Sequence, residues 1–246
     1  MKVLRTNIRQ ALCGTGFHLA VLGTVLALFS ADINTFISIS RAGDVQQQND
    51  LFFVLLREAI SSDTMLLVLP IMAALPFTAS YYDDLHSGFI KAYLPRAGYQ
   101  NYIACKLTAC FTSGGMVPVT GILCFSILTG LAVLPRVTYP TASLREISWI
   151  LKSCMLLFFA GAFWSLVGMT AAALTNSKHM AYAAPFIFFY VLVILSERYF
   201  KGIPFLNPKV WTDPTTEIWG IGILLILSVS VSLAFIYSAG RRLRSL

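Results

Sequence analysis

The stretch SCMLLFFAGAFWSLVGMTAAAL, Ser153 to Leu174, carries no charged side chain. As an α-helix it would be about 33 Å long at ~1.5 Å per residue. That matches the ~30 Å hydrocarbon core of a bilayer. A water-facing helix of this length would alternate polar and apolar faces, and this one does not. It therefore reads as a membrane span, and five further apolar blocks are read against it. They cover 12–36, 64–81, 107–134, 180–195 and 218–239. The fold class is all-α: a polytopic membrane protein, one transmembrane domain over 1–246, with six transmembrane helices.

Composition agrees. Of 246 residues, 57% are apolar and only 12% charged, against about a quarter charged in soluble domains. The net charge of +7 does not point to nucleic acid, because no basic stripe with interleaved aromatics appears. Basic residues sit instead at block ends, where they orient helices. The five cysteines lie in or beside apolar blocks. They show neither Cys-x-x-Cys nor zinc spacing, and read as small buried apolar side chains. Block one is preceded by Lys2, Arg5 and Arg9. Its apolar run is too long for a signal-peptide core, so a retained helix is expected. Pro70 and Pro76 lie in block two, and Gly114, Gly115 and Pro118 in block three, which is expected to tilt or break there.

Orientation follows from the basic residues. With both termini cytoplasmic, the 18 Lys and Arg divide ten inside to eight outside. Asp83 and Asp84 are the acids on the inner side, and the terminal clusters Lys2–Arg9 and Arg241–Arg244 fall together there. Trp149, Trp211 and Trp219 lie at expected outer boundaries, where amphipathic rings collect. Trp164 falls mid-block and is expected to pack between helices.

Two cytoplasmic segments carry a possible mechanism. In 1–11, Leu4, Ile8 and Leu12 repeat every four residues beside Arg5 and Arg9. This is either an interfacial helix lying apolar side down or an ordinary basic flank. The loop 82–106 is neither charged nor simple enough to be disordered. Asp83 or Asp84 is expected to cap a short helix. Phe89, Ile90, Tyr93 and Leu94 would form its apolar face with Lys91 pointing away, and Pro95 would end it. Such a helix suits docking into a partner's groove.

At this loop the sequence resembles a known family. Asp83 follows the second block, then come Gly88, Leu94-Pro95-Arg96, Tyr99, Tyr102 and Lys106. This pattern is similar to that of ABC-2 type transporter permeases. The six-block plan, the basic N-terminal helix and Asn207-Pro208 before the last block also resemble that family. The resemblance implies the permease subunit of an ABC exporter in a bacterial cytoplasmic membrane. Two such chains, identical or not, would pair. Each would present Asp83 to Leu94 as a coupling helix to a separate cytosolic ATP-binding subunit, where ATP and Mg would bind. The coupling residues would be Asp83, Asp84, Gly88, Phe89, Ile90, Lys91, Tyr93, Leu94 and Arg96. The segment 196–217 would be a re-entrant element at the outer mouth.

The chain holds no Gly-x-x-x-x-Gly-Lys-Ser/Thr, so it cannot cradle nucleotide through a P-loop. It is therefore read as no enzyme, with no catalytic residue and no cofactor or metal of its own. An intramembrane enzyme is the rival class. His18 is read as the clear titratable group in the blocks and lies near the expected cytoplasmic end. No His-Glu-x-x-His or Gly-x-Ser-x-Gly appears, and Asp83-Asp84 has no second acidic cluster to share magnesium with. An ion-coupled secondary transporter would show paired broken helices. Block three has an interruption, and the second half has no match for it. Small residues at Gly114, Gly115, Gly161 and Gly168 permit close helix approach, within the chain or at a dimer seam. An apolar, aromatic interior suits an amphipathic or hydrophobic substrate such as a peptide, lipid or drug-like molecule.

Overall fold

The structure, a computed structural model, describes residues 2–41, 51–90, 98–133, 144–200 and 203–243. Its helices are α1 (Lys2–Cys13), α2 (Thr15–Arg41), α3 (Leu51–Ser61), α4 (Asp63–Ala74), α5 (Ser80–His86), α6 (Tyr99–Val133), α7 (Leu144–Thr175), α8 (Lys178–Ile194) and α9 (Glu217–Leu243). No strand occurs among the described residues. Five stretches are long and apolar enough to cross a membrane: Thr15–Ile33, Tyr99–Ala132, Leu144–Thr175, Lys178–Tyr199 and Trp219–Arg242. Their outer faces suit lipid. Leu19, Leu22 and Leu26 on α2, and Ile226, Val229 and Leu233 on α9, are exposed at helical spacing, which water would penalise and hydrocarbon does not.

Block two differs from the continuous span expected over 64–81. Ser62 caps α4, its side chain accepting from the Met65 amide. The helix then stops at Ala74 and gives way to a turn over 75–79. At 12 residues, α4 reaches only about 18 Å. Pro76 has no amide proton to continue the ladder, and Leu75 N–H tightens onto Met72 O instead. Block three, by contrast, does not break. The helix α6 runs 35 residues through Pro118, about 52 Å, so it extends past the hydrocarbon or tilts within it.

The reason lies in α7, the central helix, which packs on α4, α6, α8 and α9. Pro118 cannot bond the carbonyl four residues back, that of Gly114. Gly161 of α7 sits against that carbonyl. A Cβ on Gly161 would stand 2.5 Å from Gly114 O and 3.2 Å from Pro118 Cγ. Beside this contact, Cys110 and Ser165 bind reciprocally. Ser165 Oγ donates to Cys110 O at 3.1 Å, and the two side chains meet at 2.9 Å. The small residues of blocks three and four thus serve packing within the chain.

Among the described residues the two larger clusters of the core form layers along the bundle, beside smaller ones around Val117 and Ala172. One, at the end bearing the chain termini, gathers Ala11, Tyr81, Ile90, Tyr102, Met169, Phe235 and Ala239. The other gathers Leu28, Ile60, Met65, Phe125, Phe163, Trp164 and Trp211. Trp164 packs between helices. Trp211, expected at a lipid boundary, is 4% exposed. Its indole N–H donates to Phe205 O at 2.8 Å, and its ring stacks on Trp164 with centroids 6.4 Å apart. An indole that finds an acceptor loses its reason to stay at the interface. The segment 196–217 continues α8 as a π-helical turn, Leu195–Tyr199, followed by short 3-10 turns at Pro204–Leu206, Val210–Thr212 and Pro214–Thr216.

Candidate functional site

The segment from Ser80 to Ile90 forms one wall of the end layer. Asp83 and Asp84 lie inside α5 rather than capping a helix. The Ala79 cap has helical dihedrals and its side chain makes no cap bond, so neither acid is needed there. Each acid instead ties α5 to a different apolar helix. Asp84 Oδ2 stands 2.7 Å from Lys106 Nζ of α6 and accepts from Tyr102 Oη at 2.8 Å. Asp83 Oδ1 stands 3.0 Å from Lys178 Nζ at the start of α8.

The two pairs differ in worth. Lys106 and Asp84 have side chains 4% and 23% exposed, whereas Lys178 and Asp83 are about half exposed. The exposed pair is weak by solvent screening. The buried one is held in several ways. Lys106 Nζ also reaches Ser80 O at 3.5 Å and lies 4.8 Å from the centre of the Phe77 ring. Its desolvation is offset by the carboxylate, the carbonyl and the aromatic faces together.

Beyond α5 the chain turns at Gly88, whose φ of +72° is the left-handed conformation that glycine adopts without strain. The turn separates two neighbouring side chains. Ile90 is 2% exposed and packs with Tyr81, Tyr102 and Ile103 in the end layer, whereas Phe89 is 50% exposed. Tyr82 and His86 stack on the outer side of α5 with centroids 4.0 Å apart. Of the expected coupling residues, Asp83, Asp84, Gly88, Phe89 and Ile90 lie along this one segment, with Phe89 exposed and Ile90 buried. Lys91, Tyr93, Leu94 and Arg96 lie outside the described residues.

The same end holds α1, whose Arg5 and Arg9 are exposed while Ala11 is buried and Ile8 packs on the end layer. The last turn of α9 also lies here. Arg242 donates to Leu174 O at 2.8 Å, and Tyr99 Oη donates to Ile236 O at 3.2 Å.

Two further charged residues gain a place that their sequence setting leaves undescribed. Lys178 opens α8, and its partner is not readable from the five-residue stretch 175–179 in which the sequence sets it. Asp32 lies within α2, 1% exposed, and its Oδ2 has no hydrogen-bond partner among the described residues. Glu58 of α3 interacts with it electrostatically. Its signal is an acid four residues short of the end of block one. Among the described residues, no group of three or more His, Cys, Asp or Glu gathers as a metal site would.

The chain matches no protein-family model, no curated protein and no solved structure.

Proposed function

We propose that the chain is the permease subunit of an ATP-driven exporter, moved by a separate ATP-binding chain that grips the Ser80–Ile90 segment. The observation that carries this reading is the attachment of that segment. One short helix is ion-paired to two different apolar helices, α6 and α8. Next to it the half-exposed Phe89 is held up by a glycine turn. An aromatic knob on a braced platform fits a partner's groove, and the braces give a route for displacement into the bundle.

In this reading α4 and the turn that follows it supply a sixth crossing, both termini are cytoplasmic, and the membrane is a bacterial plasma membrane. A second permease chain completes the path for an amphipathic or hydrophobic substrate. ATP and Mg bind to the partner subunit. The test is purification in mild detergent with the ATP-binding chain identified by mass and by ATPase activity. The native chain should retain that partner, and Phe89→Ala should weaken the coupling of hydrolysis to transport without reducing insertion. Labelling of residue 89 from the outer face only, or the lack of any nucleotide-hydrolysing companion, would refute the assignment.

One observation favours a second reading, an ion-coupled carrier. An acid buried in an apolar helix with an unbonded oxygen is a functional candidate by default, and Asp32 is such an acid. Asp32→Asn separates the readings. It would abolish transport driven by an ion gradient and leave ATP-driven transport running.

A further inference from the structure

Ala20, Thr24, Leu28 and Asp32 follow one another four apart along α2, and all four are buried. A spacing of four keeps side chains on one side of a helix. Asp32 is thus turned with the others into the bundle and away from Leu19, Leu22, Leu26 and Ile33, which are exposed. Thr24 packs on Gly121 and Phe29 on Phe125. The helix α6 therefore runs beside α2 in the same direction, and Thr129 comes level with Asp32. That hydroxyl is already given to Phe125 O at 2.7 Å. Asp32 Oδ2 is left shielded from water, with no hydrogen-bond partner among the described residues.

No described cation answers it. The helices packed on α2 are α1, α3, α4 and α6. Past Lys106, which is bound to Asp84 at the other end of the bundle, α6 carries no charged residue. Arg5 and Arg9 of α1, and His18 near the start of α2, also lie toward that other end. At the near end α4 offers Asp63, whose partner is Lys209 at 3.0 Å. The helix α3 offers Arg57, which stands 5.0 Å over the Trp149 ring of α7, and Glu58. Among the described residues the charged group that acts on Asp32 is Glu58, a second acid. An ionised carboxylate placed there would have neither solvent nor counter-ion, and a buried acid in that position is stable only as the neutral form.

A proton satisfies such a site with nothing else added. A metal ion would need several oxygens, and no group of three or more His, Cys, Asp or Glu gathers among the described residues. Glu58 supplies the way in. It is exposed, as are Arg57, Ser61 and Asp63 around it, and such a charged rim belongs in water. We infer that Asp32 is a proton-binding site, loaded and emptied through the Glu58 carboxylate. A proton arriving from water neutralises Glu58. Its passage to Asp32 restores the Glu58 anion and leaves Asp32 as the neutral acid. The use of that proton in transport rests on the ion-coupled reading, whereas its binding does not.

The test is reaction of the full chain, in a neutral maltoside, with the membrane-soluble N,N′-dicyclohexylcarbodiimide, read by peptide mass. The reagent takes the proton of a carboxylic acid onto nitrogen while the carboxylate oxygen bonds to its central carbon, so an ionised acid is spared. An adduct is expected at Asp32, fading as the solution is made alkaline and lost in Asp32→Asn. Infrared difference spectra, native minus Asp32→Asn, should show the C=O stretch of a protonated carboxyl. In Glu58→Gln that band should remain, while its shift in heavy water becomes several-fold slower. Monodisperse elution of both variants would show that they fold. Absence of the band, or protection from the reagent by sodium ions rather than by alkali, overturns the proton site. An unchanged exchange rate in Glu58→Gln overturns Glu58 as the entry. Loss of the site leaves the carrier reading free to use another ion, whereas an intact site without transport driven by a proton gradient refutes that reading alone.

Discussion

Breaking the Asp84–Lys106 pair from its two sides should give unequal results. In Asp84→Asn the Lys106 ammonium, with its side chain 4% exposed, loses its carboxylate and keeps a 3.5 Å carbonyl contact and aromatic faces. An uncompensated buried charge costs about 3–5 kcal/mol. The 23% exposure of Asp84 shows that water reaches the pair, which brings the expectation down to ~2–3 kcal/mol. In Lys106→Met the stem volume stays, the charge goes, and Asp84 keeps both water and the Tyr102 hydroxyl at 2.8 Å. That change should cost ~1 kcal/mol or less. At about 2–4 °C per kcal/mol for a chain of this size, Asp84→Asn should lower the melting temperature by roughly 5–10 °C in detergent. Lys106→Met should lower it by a few degrees at most, and the double variant should resemble Lys106→Met. The assay is thermal unfolding followed by tryptophan fluorescence, with a size-exclusion control. If Lys106→Met proved as damaging as Asp84→Asn, or if the double variant were the worst of the three, the ammonium would not be a buried charge in need of a partner.

Other outcomes follow from single contacts. Gly161→Ala should destabilise by about 1–3 kcal/mol by overpacking, because its methyl would meet Gly114 O at 2.5 Å; thermal unfolding measures this. A methyl group at position 88 would meet nothing within 4 Å, so Gly88→Ala should cost only the backbone penalty, about 1–2 kcal/mol. Gly88→Asn should cost less, and proteolysis rates near residue 88 would report both. Lys209 is held protonated above the ordinary lysine range, first by its hydrogen bond to Asp63. Its stabilisation of the 203–216 turns is therefore full below the ordinary lysine value and fades as pH rises through the higher folded value. Hydrogen exchange of those turns should quicken in that alkaline range, and Lys209→Met should remove the dependence.

Much of the plan is readable because membrane spans are written in composition, and the long uncharged runs mark α2, α6, α7, α8 and α9. The Asp84–Tyr102–Lys106 cluster is also foreshadowed, since all three residues belong to one short loop and the helix it enters. What the sequence hides is information carried by partners distant along the chain. Pro118 looks like a break because nothing local reveals that Gly161 covers the carbonyl it frees. Trp211 looks like an interface residue because its acceptor, Phe205 O, is fixed only once the 3-10 turns form. Asp83 and Asp84 look like caps because capping is the local use of an aspartate, whereas their bonds run to residues 22 and 95 positions away. Asp32 escapes notice because a single acid near the end of an apolar run resembles a boundary.

Two adjacent carboxylates on one turn, each bound to a different long rod, make α5 a yoke. Because the stiffer joint is to α6 and the looser to α8, a shove delivered to it is shared unequally. The first rod must travel with it, while the second can lag by the slack of a solvated ion pair. Tightening the looser joint, or cutting the stiffer one, would change which rod leads.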